Sequence, residues 1–316
     1  MEEAAGENVR KAASACLIGS VSLRMFPRMY KVAKMLTRRG IRVRAVCISM
    51  RAHESTLPEE LIRNFVDQVF TVDMVGDILY NKRYEWAADK VIIIKNVPEA
   101  ETSIDEELRR ELLRKYVGYR LVVYVGAVNK SRGCLVMIKA MKEVSSKVPN
   151  VKLLLIGPVT DEEFMEEAAE FIKKHGLEEH IEFIGPIPYT KIHTYLCIGN
   201  VALALNQPDT QYLLARGSTK LFLYMRAGLP IIVSDFPGMR AIVEKAMCGI
   251  LVDPTDVNAV AEAIIKLLKD VKLARMIGEN GRGAVLSEYN LALEEERVFH
   301  AYKEVLGWRF ETREGG

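Results

Sequence analysis

Ser218-Thr219-Lys220-Leu221-Phe222-Leu223-Tyr224-Met225-Arg226-Ala227-Gly228-Leu229-Pro230-Ile231-Ile232-Val233-Ser234-Asp235 reads as a helix feeding directly into a buried strand. Ser218 is a favoured helix opener and Gly228 a favoured terminator, while Pro230 begins a β-branched run with no polar face. A strand that is apolar on both faces belongs to a parallel sheet covered by helices on both sides. Lys220 falls in the first turn of the helix, the end that favours anions.

The same alternation extends outward from this stretch. Leu121–Val125, Val151–Ile156, Ile181–Ile184, Val201–Leu205, Pro230–Val233 and Gly249–Val252 read as six strands, each followed by a helical segment, which makes a complete doubly wound domain. Upstream, Ala13–Ile18, Ile41–Ile48, Val69–Val72 and Val91–Ile94 read as four further strands, with a helix from Pro27 to Arg39. The punctuation Asn96-Val97-Pro98-Glu99 and a charged helix from about Ile104 to Tyr116 separate the two series. The expected organisation is α/β: two Rossmann-like domains facing a cleft, a shortened first one over 1–95 and a second over 96–290. A C-terminal amphipathic helix and tail over 291–316 complete it.

Forty-nine per cent hydrophobic and 27 per cent charged residues over 316 positions place the chain among globular proteins. No apolar run approaches the ~20 residues that span a bilayer, and the Glu-rich start carries no signal-peptide core, so a cytoplasmic protein is expected. Five scattered cysteines without a C-x-x-C pair encode neither a disulfide framework nor a zinc site. The net charge of +2 hides an asymmetry: Asn8 to Arg51 holds eleven Lys and Arg and no acid, which leaves −9 for the rest. Within Pro27 to Arg39, Met29, Val32, Ala33 and Leu36 share one helical face and Arg28, Lys31, Lys34 and Arg38 the other. Residues 24–44 could therefore meet an anionic membrane surface on the cytoplasmic side, the alternative being a packed helix whose basic face is simply solvated. No aromatic-rich sheet or helix-turn-helix pattern accompanies the charge, so no nucleic acid is expected.

Three turns at strand ends could carry chemistry. Gly126-Ala127-Val128-Asn129-Lys130-Ser131-Arg132-Gly133 couples two cations to a helix start, which suits a diphosphate and equally suits a solvated connection. Gly157-Pro158 and Gly185-Pro186-Ile187-Pro188 are stiff turns whose backbone groups could read a base edge, though such turns are also ordinary connections.

Taken in order, these blocks resemble the glycosyltransferase family 4, the group 1 glycosyl transferases of GT-B architecture. The opening stretch resembles its K-L-F-E-Y-M-x-A-G-x-P-V-I-x-S-D segment, Gly126 to Gly133 its V-G-x-x-x-x-R-G loop, and Leu153 to Gly157 its L-x-I-x-G strand end. Phe183-Ile184-Gly185 with Pro188 resembles F-x-G-x-x-P, Gly249 to Pro254 resembles G-x-L-V-x-P, and Met276 to Arg282 with Tyr289-Asn290 resembles the closing helical blocks. Phe26-Pro27-Arg28 resembles the D-P-R-V of the first domain.

The resemblance implies a nucleotide-sugar donor bound in the second domain and a sugar passed, with retention, to a glycan or lipid-linked acceptor. No cofactor and no metal is expected. Arg132 and Lys220 would hold the diphosphate and stabilise the leaving group. Gly126 and Gly133 would let the backbone approach it, Asn129, Lys130 and Gly157 would join them in binding the donor, and Gly185, Ile187 and Pro188 would line the base. Ser218, Thr219 and Leu223 would complete the donor side, and Arg28 would face the acceptor. Ala215 and Leu223 stand where the family carries its paired glutamates, and Ala127 and Ala241 replace a further arginine and glutamate. A catalytically degenerate homologue that binds a nucleotide and regulates or scaffolds is therefore the rival expectation; a sugar epimerase would need acid–base residues that the sequence does not offer.

Overall fold

The computed structural model describes residues 95, 97–208 and 219–306, and the strands β1 (Ser14–Gly19), β2 (Arg42–Cys47), β3 (Val69–Thr71) and β4 (Val91–Ile93); of these four strands, and of 298 and 301–306, only the backbone is described. The chain divides into two compact units, one of 1–70, 84–92 and 295–316 and the other of 71–83 and 93–294. In the first unit β1 and β2 pair in parallel, Ser14 opposite Arg42 through Gly19 opposite Cys47, while β3 pairs with β4. The four strands read upstream are thus present, and the basic helix over 27–39 lies outside the described residues.

The second unit is built on a six-stranded parallel sheet. Its strands are β5 (Arg120–Val125), β6 (Val151–Ile156), β7 (Ile181–Gly185), β8 (Val201–Ala204), β9 (Ile231–Ser234) and β10 (Gly249–Val252), in the order β10-β9-β8-β5-β6-β7. Helices α1 (Glu106–Lys115), α2 (Cys134–Lys147), α3 (Glu162–His175), α4 (Tyr189–Leu196), α5 (Thr219–Arg226), α6 (Pro237–Ala246), α7 (Val257–Lys269) and α8 (Val271–Ser287) follow in chain order, and α9 (Leu291–Leu306) belongs mostly to the first unit.

Strand periodicity sorts the core into two layers. Val122, Tyr124, Leu153 and Leu155 face α2, α3 and α7, while Leu121, Val123, Val125, Leu154 and Ile156 face α1, α4, α5 and α6. Helix α8 reaches both layers, through Ile277 and Val285. Local chemistry fixes where the helices begin: the carboxylates of Asp105, Asp161, Asp256 and Asp270 each accept a backbone N–H at the start of α1, α3, α7 and α8. Among the described residues no helix is long and apolar enough to cross a membrane.

Candidate functional site

The strand order reverses beside β5. The chain runs outward from β5 through β6 to β7, then returns to lay β8, β9 and β10 on the other side. Loops leaving β5 and β8 therefore diverge, opening the crevice at the carboxyl ends of the strands where such sheets take ligands.

The turn Gly126 to Gly133 leaves β5 at this point. Gly126 and Gly133 adopt φ of 136° and 75°, and a Cβ on Gly133 would stand 2.0 Å from the Leu205 carbonyl oxygen, so the turn lies backbone to backbone against the end of β8. Asn129 organises its interior: Oδ1 accepts the Ser131 hydroxyl and the Arg132 N–H, both at 3.0 Å, and Nδ2 donates to Thr160 Oγ1 at 2.9 Å. Gly157 meets the turn from the neighbouring strand, because a Cβ there would stand 2.0 Å from the Gly126 oxygen. Its N–H donates to the Gly185 carbonyl at 2.9 Å, which adds the third turn to the rim.

Lys220 comes up beneath the rim from α5. Its side chain is buried, and Nζ donates to the Tyr124 hydroxyl at 3.1 Å while standing 4.4 Å from the centre of the tyrosine ring. The same hydroxyl donates to the Ala127 carbonyl at 2.7 Å. Lys220 is brought to Gly126 itself, since a Cβ there would lie 3.7 Å from its Cε and 3.2 Å from the tyrosine oxygen. Among the described residues no carboxylate pairs with this ammonium. Burial, and after it the charge of Arg132, pull the Lys220 pKa from 10.5 down to about 7, opposed by the Cys134 thiol. Burial in turn pushes the Cys134 thiol up to about 11, so it stays protonated. The result is a lysine held out of water at a switch point, close to a second cation, whose charged form a nearby anion would favour.

Not every residue expected at the site joins it. Lys130 turns outward and pairs with Glu163 at 2.7 Å and Glu167 at 3.2 Å on α3. Leu223 is buried among the core side chains next to Leu221 and Tyr224, where it offers no polar group. Ile187 packs partly buried against the same layer, and Pro188 is the N-cap of α4. Gly185, at φ 78°, faces open space, and Thr219 is the first residue of α5. Ser218, Ala215 and Arg28 lie outside the described residues, as does most of 24–44.

Two polar groups at the crevice escaped the sequence reading. Tyr124 is one, and its signal was a hydroxyl inside an otherwise aliphatic strand, which must find a partner when buried. Asn206, just beyond β8, is the other: it is 1% exposed, and neither of its amide atoms has a partner among the described residues. Among the described residues no group of three or more His, Cys, Asp or Glu could hold a metal ion.

The family described as "Glycosyl transferases group 1" matches residues 105–284, which is more than half of the chain. N-acetyl-alpha-D-glucosaminyl L-malate synthase of Bacillus anthracis is 23% identical over 253 residues, 78% of this chain and 61% of that protein. The chain spans about half to three-fifths of the length of the curated relatives it matches. Among solved structures, a glycosyltransferase from Rickettsia africae superimposes with a TM-score of 0.68 at 16% identity, covering 90% of this chain and 83% of that one. Anabaena HepE in complex with UDP does so with a TM-score of 0.65 at 14% identity, covering 93% and 73%. These structural likenesses speak for the α/β GT-B fold, and the family match carries membership: the chain belongs to the group 1 glycosyl transferases.

Proposed function

We propose that the second unit binds a nucleotide sugar with its diphosphate at the Gly126–Gly133 turn, and that the protein transfers the sugar to a glycan or lipid-linked acceptor. The observation that carries this reading is Lys220, a buried lysine with no carboxylate partner among the described residues, beneath a glycine turn at the switch point. UDP bound to the structurally similar HepE supplies the chemical precedent for the ligand.

In this reading Lys220 and Arg132 meet the charge that grows on the departing nucleoside diphosphate. Fixed charges shielded from water do this at low reorganisation cost. Side-chain cations and the start of α2 thereby take the part that a bound metal plays elsewhere, and as the nucleoside diphosphate departs the hexosyl group passes to the acceptor oxygen with retention of configuration. The basic stretch over 24–44 would keep the protein on the cytoplasmic face of an anionic membrane, near lipid-linked acceptors.

Calorimetric titration of the full chain with UDP, GDP and ADP tests the donor site, and a donor-hydrolysis assay with the matching nucleotide sugars tests turnover. Binding of one nucleotide with hydrolysis of its sugar is expected. Binding without any turnover would convert the protein into a nucleotide-binding homologue, and no binding at all would remove the donor-site reading.

A further inference from the structure

We propose that the Tyr124 hydroxyl is the positioning group of this site: it ties the Lys220 ammonium to the turn's own backbone at Ala127 and fixes the cation where a diphosphate would meet it, an inference that rests on the donor-site reading above. A tyrosine hydroxyl has one proton to give and lone pairs to receive. The Ala127 carbonyl takes the proton at 2.7 Å, so a lone pair faces Lys220 Nζ at 3.1 Å. The direction of the relay is thereby set by the turn, and any movement of the turn moves the acceptor that Lys220 depends on.

Among the described residues no other neighbour does this work. Arg132 from the turn repels the ammonium, and the Cys134 thiol at the start of α2 is a weak acceptor. The hydroxyl of Tyr224, on α5 itself, is already used by the Val125 N–H at 2.9 Å. A free lysine stem is long and rotamer-rich, so a buried one without an acceptor would not stay in one place. The tyrosine ring adds a cation–π contact at 4.4 Å that a lone hydroxyl would lack.

The choice of a hydroxyl rather than a carboxylate has a chemical consequence. A carboxylate would hold Lys220 more firmly but would cancel its charge, whereas a neutral hydroxyl holds the ammonium and leaves its charge for the ligand. Gly126 protects the arrangement, because a Cβ there would press on the tyrosine oxygen from 3.2 Å.

Tyr124→Phe removes the relay and keeps the ring. In the full chain labelled with ¹³Cε-lysine, the Lys220 resonance, assigned by its loss in Lys220→Met, should titrate about one pH unit lower in Tyr124→Phe, the size of one lost charge-assisted hydrogen bond. UDP affinity at pH 7 should fall roughly tenfold, with the alkaline limit of binding moved down by the same shift. In a Lys220→Met background the Phe substitution should cost no further affinity.

An unchanged Lys220 titration, with a UDP profile parallel to that of the wild type, overturns the proposal even if the melting temperature drops. An undiminished cost of Phe in the Lys220→Met background also overturns it, since the tyrosine would then act without the lysine. If UDP, GDP and ADP all fail to bind the wild-type chain while the titration still shifts, the donor-site reading falls and the tie to Lys220 stands. Should Tyr124→Phe fail to fold, replacing tyrosine by 3-fluorotyrosine keeps the shape and weakens the acceptor, and the Lys220 titration must again move down.

Discussion

The outer wall of the glycine turn and the floor beneath it both carry lysines, and the structure treats them in opposite ways. On the wall, Lys130 and Lys139 reach Glu163 and Glu167 of α3 at 2.7 to 3.2 Å, with side chains about one-third exposed. On the floor, Lys220 is buried and, among the described residues, meets a hydroxyl instead of an acid. Exposed ion pairs contribute about 0 to 1 kcal/mol because water already solvates both partners. The wall therefore cancels charges where cancelling gains little. The floor leaves a charge standing where it is costly to do so, and such an expense marks a group kept for a ligand.

The strongest way to break this contrast is to loosen the floor. Gly133→Ala or Gly157→Ala combines positive-φ strain with a Cβ 2.0 Å from a backbone oxygen, so either should destabilise the second unit by about 2 to 5 kcal/mol in urea titrations. Gly185→Ala meets the same kind of φ in open space and should cost only about 1 to 3 kcal/mol. Equal losses at all three would mean that the turns are not packed on one another.

Next in size, Lys220→Met should weaken UDP binding by about 1.5 to 3 kcal/mol, one to two orders of magnitude, as measured by calorimetry. The same substitution should stabilise the ligand-free protein at pH 6 to 7. Because the folded pKa of Lys220 is about 7 against 10.5 ordinarily, the unfolded chain binds the extra proton between those values, and stability rises with pH across that window. Cys134 works in the other direction above its ordinary value of 9.0, since its folded thiol keeps its proton to about 11. The lysine's contribution is thus cleanest from pH 7 to about 9 and should be missing in Lys220→Met; a slope identical to the wild type would refute the buried uncompensated charge.

A smaller effect comes from α4. His193 is held down to about 4 by burial and then by the charges of Arg226 and Arg282. The unfolded chain binds that proton from 6.5 downward, so stability should fall between pH 6.5 and 4, and His193→Gln should flatten the fall. Smallest of all, Lys130→Met should change stability by less than about 1 kcal/mol and UDP affinity by less than about threefold. A loss matching that of Lys220→Met would erase the distinction between wall and floor.

The sheet was readable from residues alone because parallel strands buried on both faces appear as unbroken apolar runs, and each of the six matches an observed strand. The starts of α1, α3, α7 and α8 have a local cause that the sequence reading did not use, the capping carboxylates of Asp105, Asp161, Asp256 and Asp270. Lys130 and Lys220 could not be told apart in this way. Both stand near a helix start in the sequence, and only the partners supplied by α3 and β5 separate them. Tyr124 escaped for the same reason, as its hydroxyl meets a lysine 96 positions away. Leu223 illustrates the converse: its motif position pointed to the site, while its apolar side chain follows the core.

The stitching of the three turns also bears on how such a protein could be re-engineered. Gly126 donates to the Ile156 carbonyl, Gly157 to that of Gly185, and Val128 to that of Pro158, all at 2.8 to 2.9 Å. A graft that imports one of these turns from a relative would arrive with backbone groups matched to neighbours it had left behind. The smallest transferable cassette is therefore the whole rim, and altering ligand preference by exchanging a single loop should give poorly folded chimaeras until its two companions are exchanged with it.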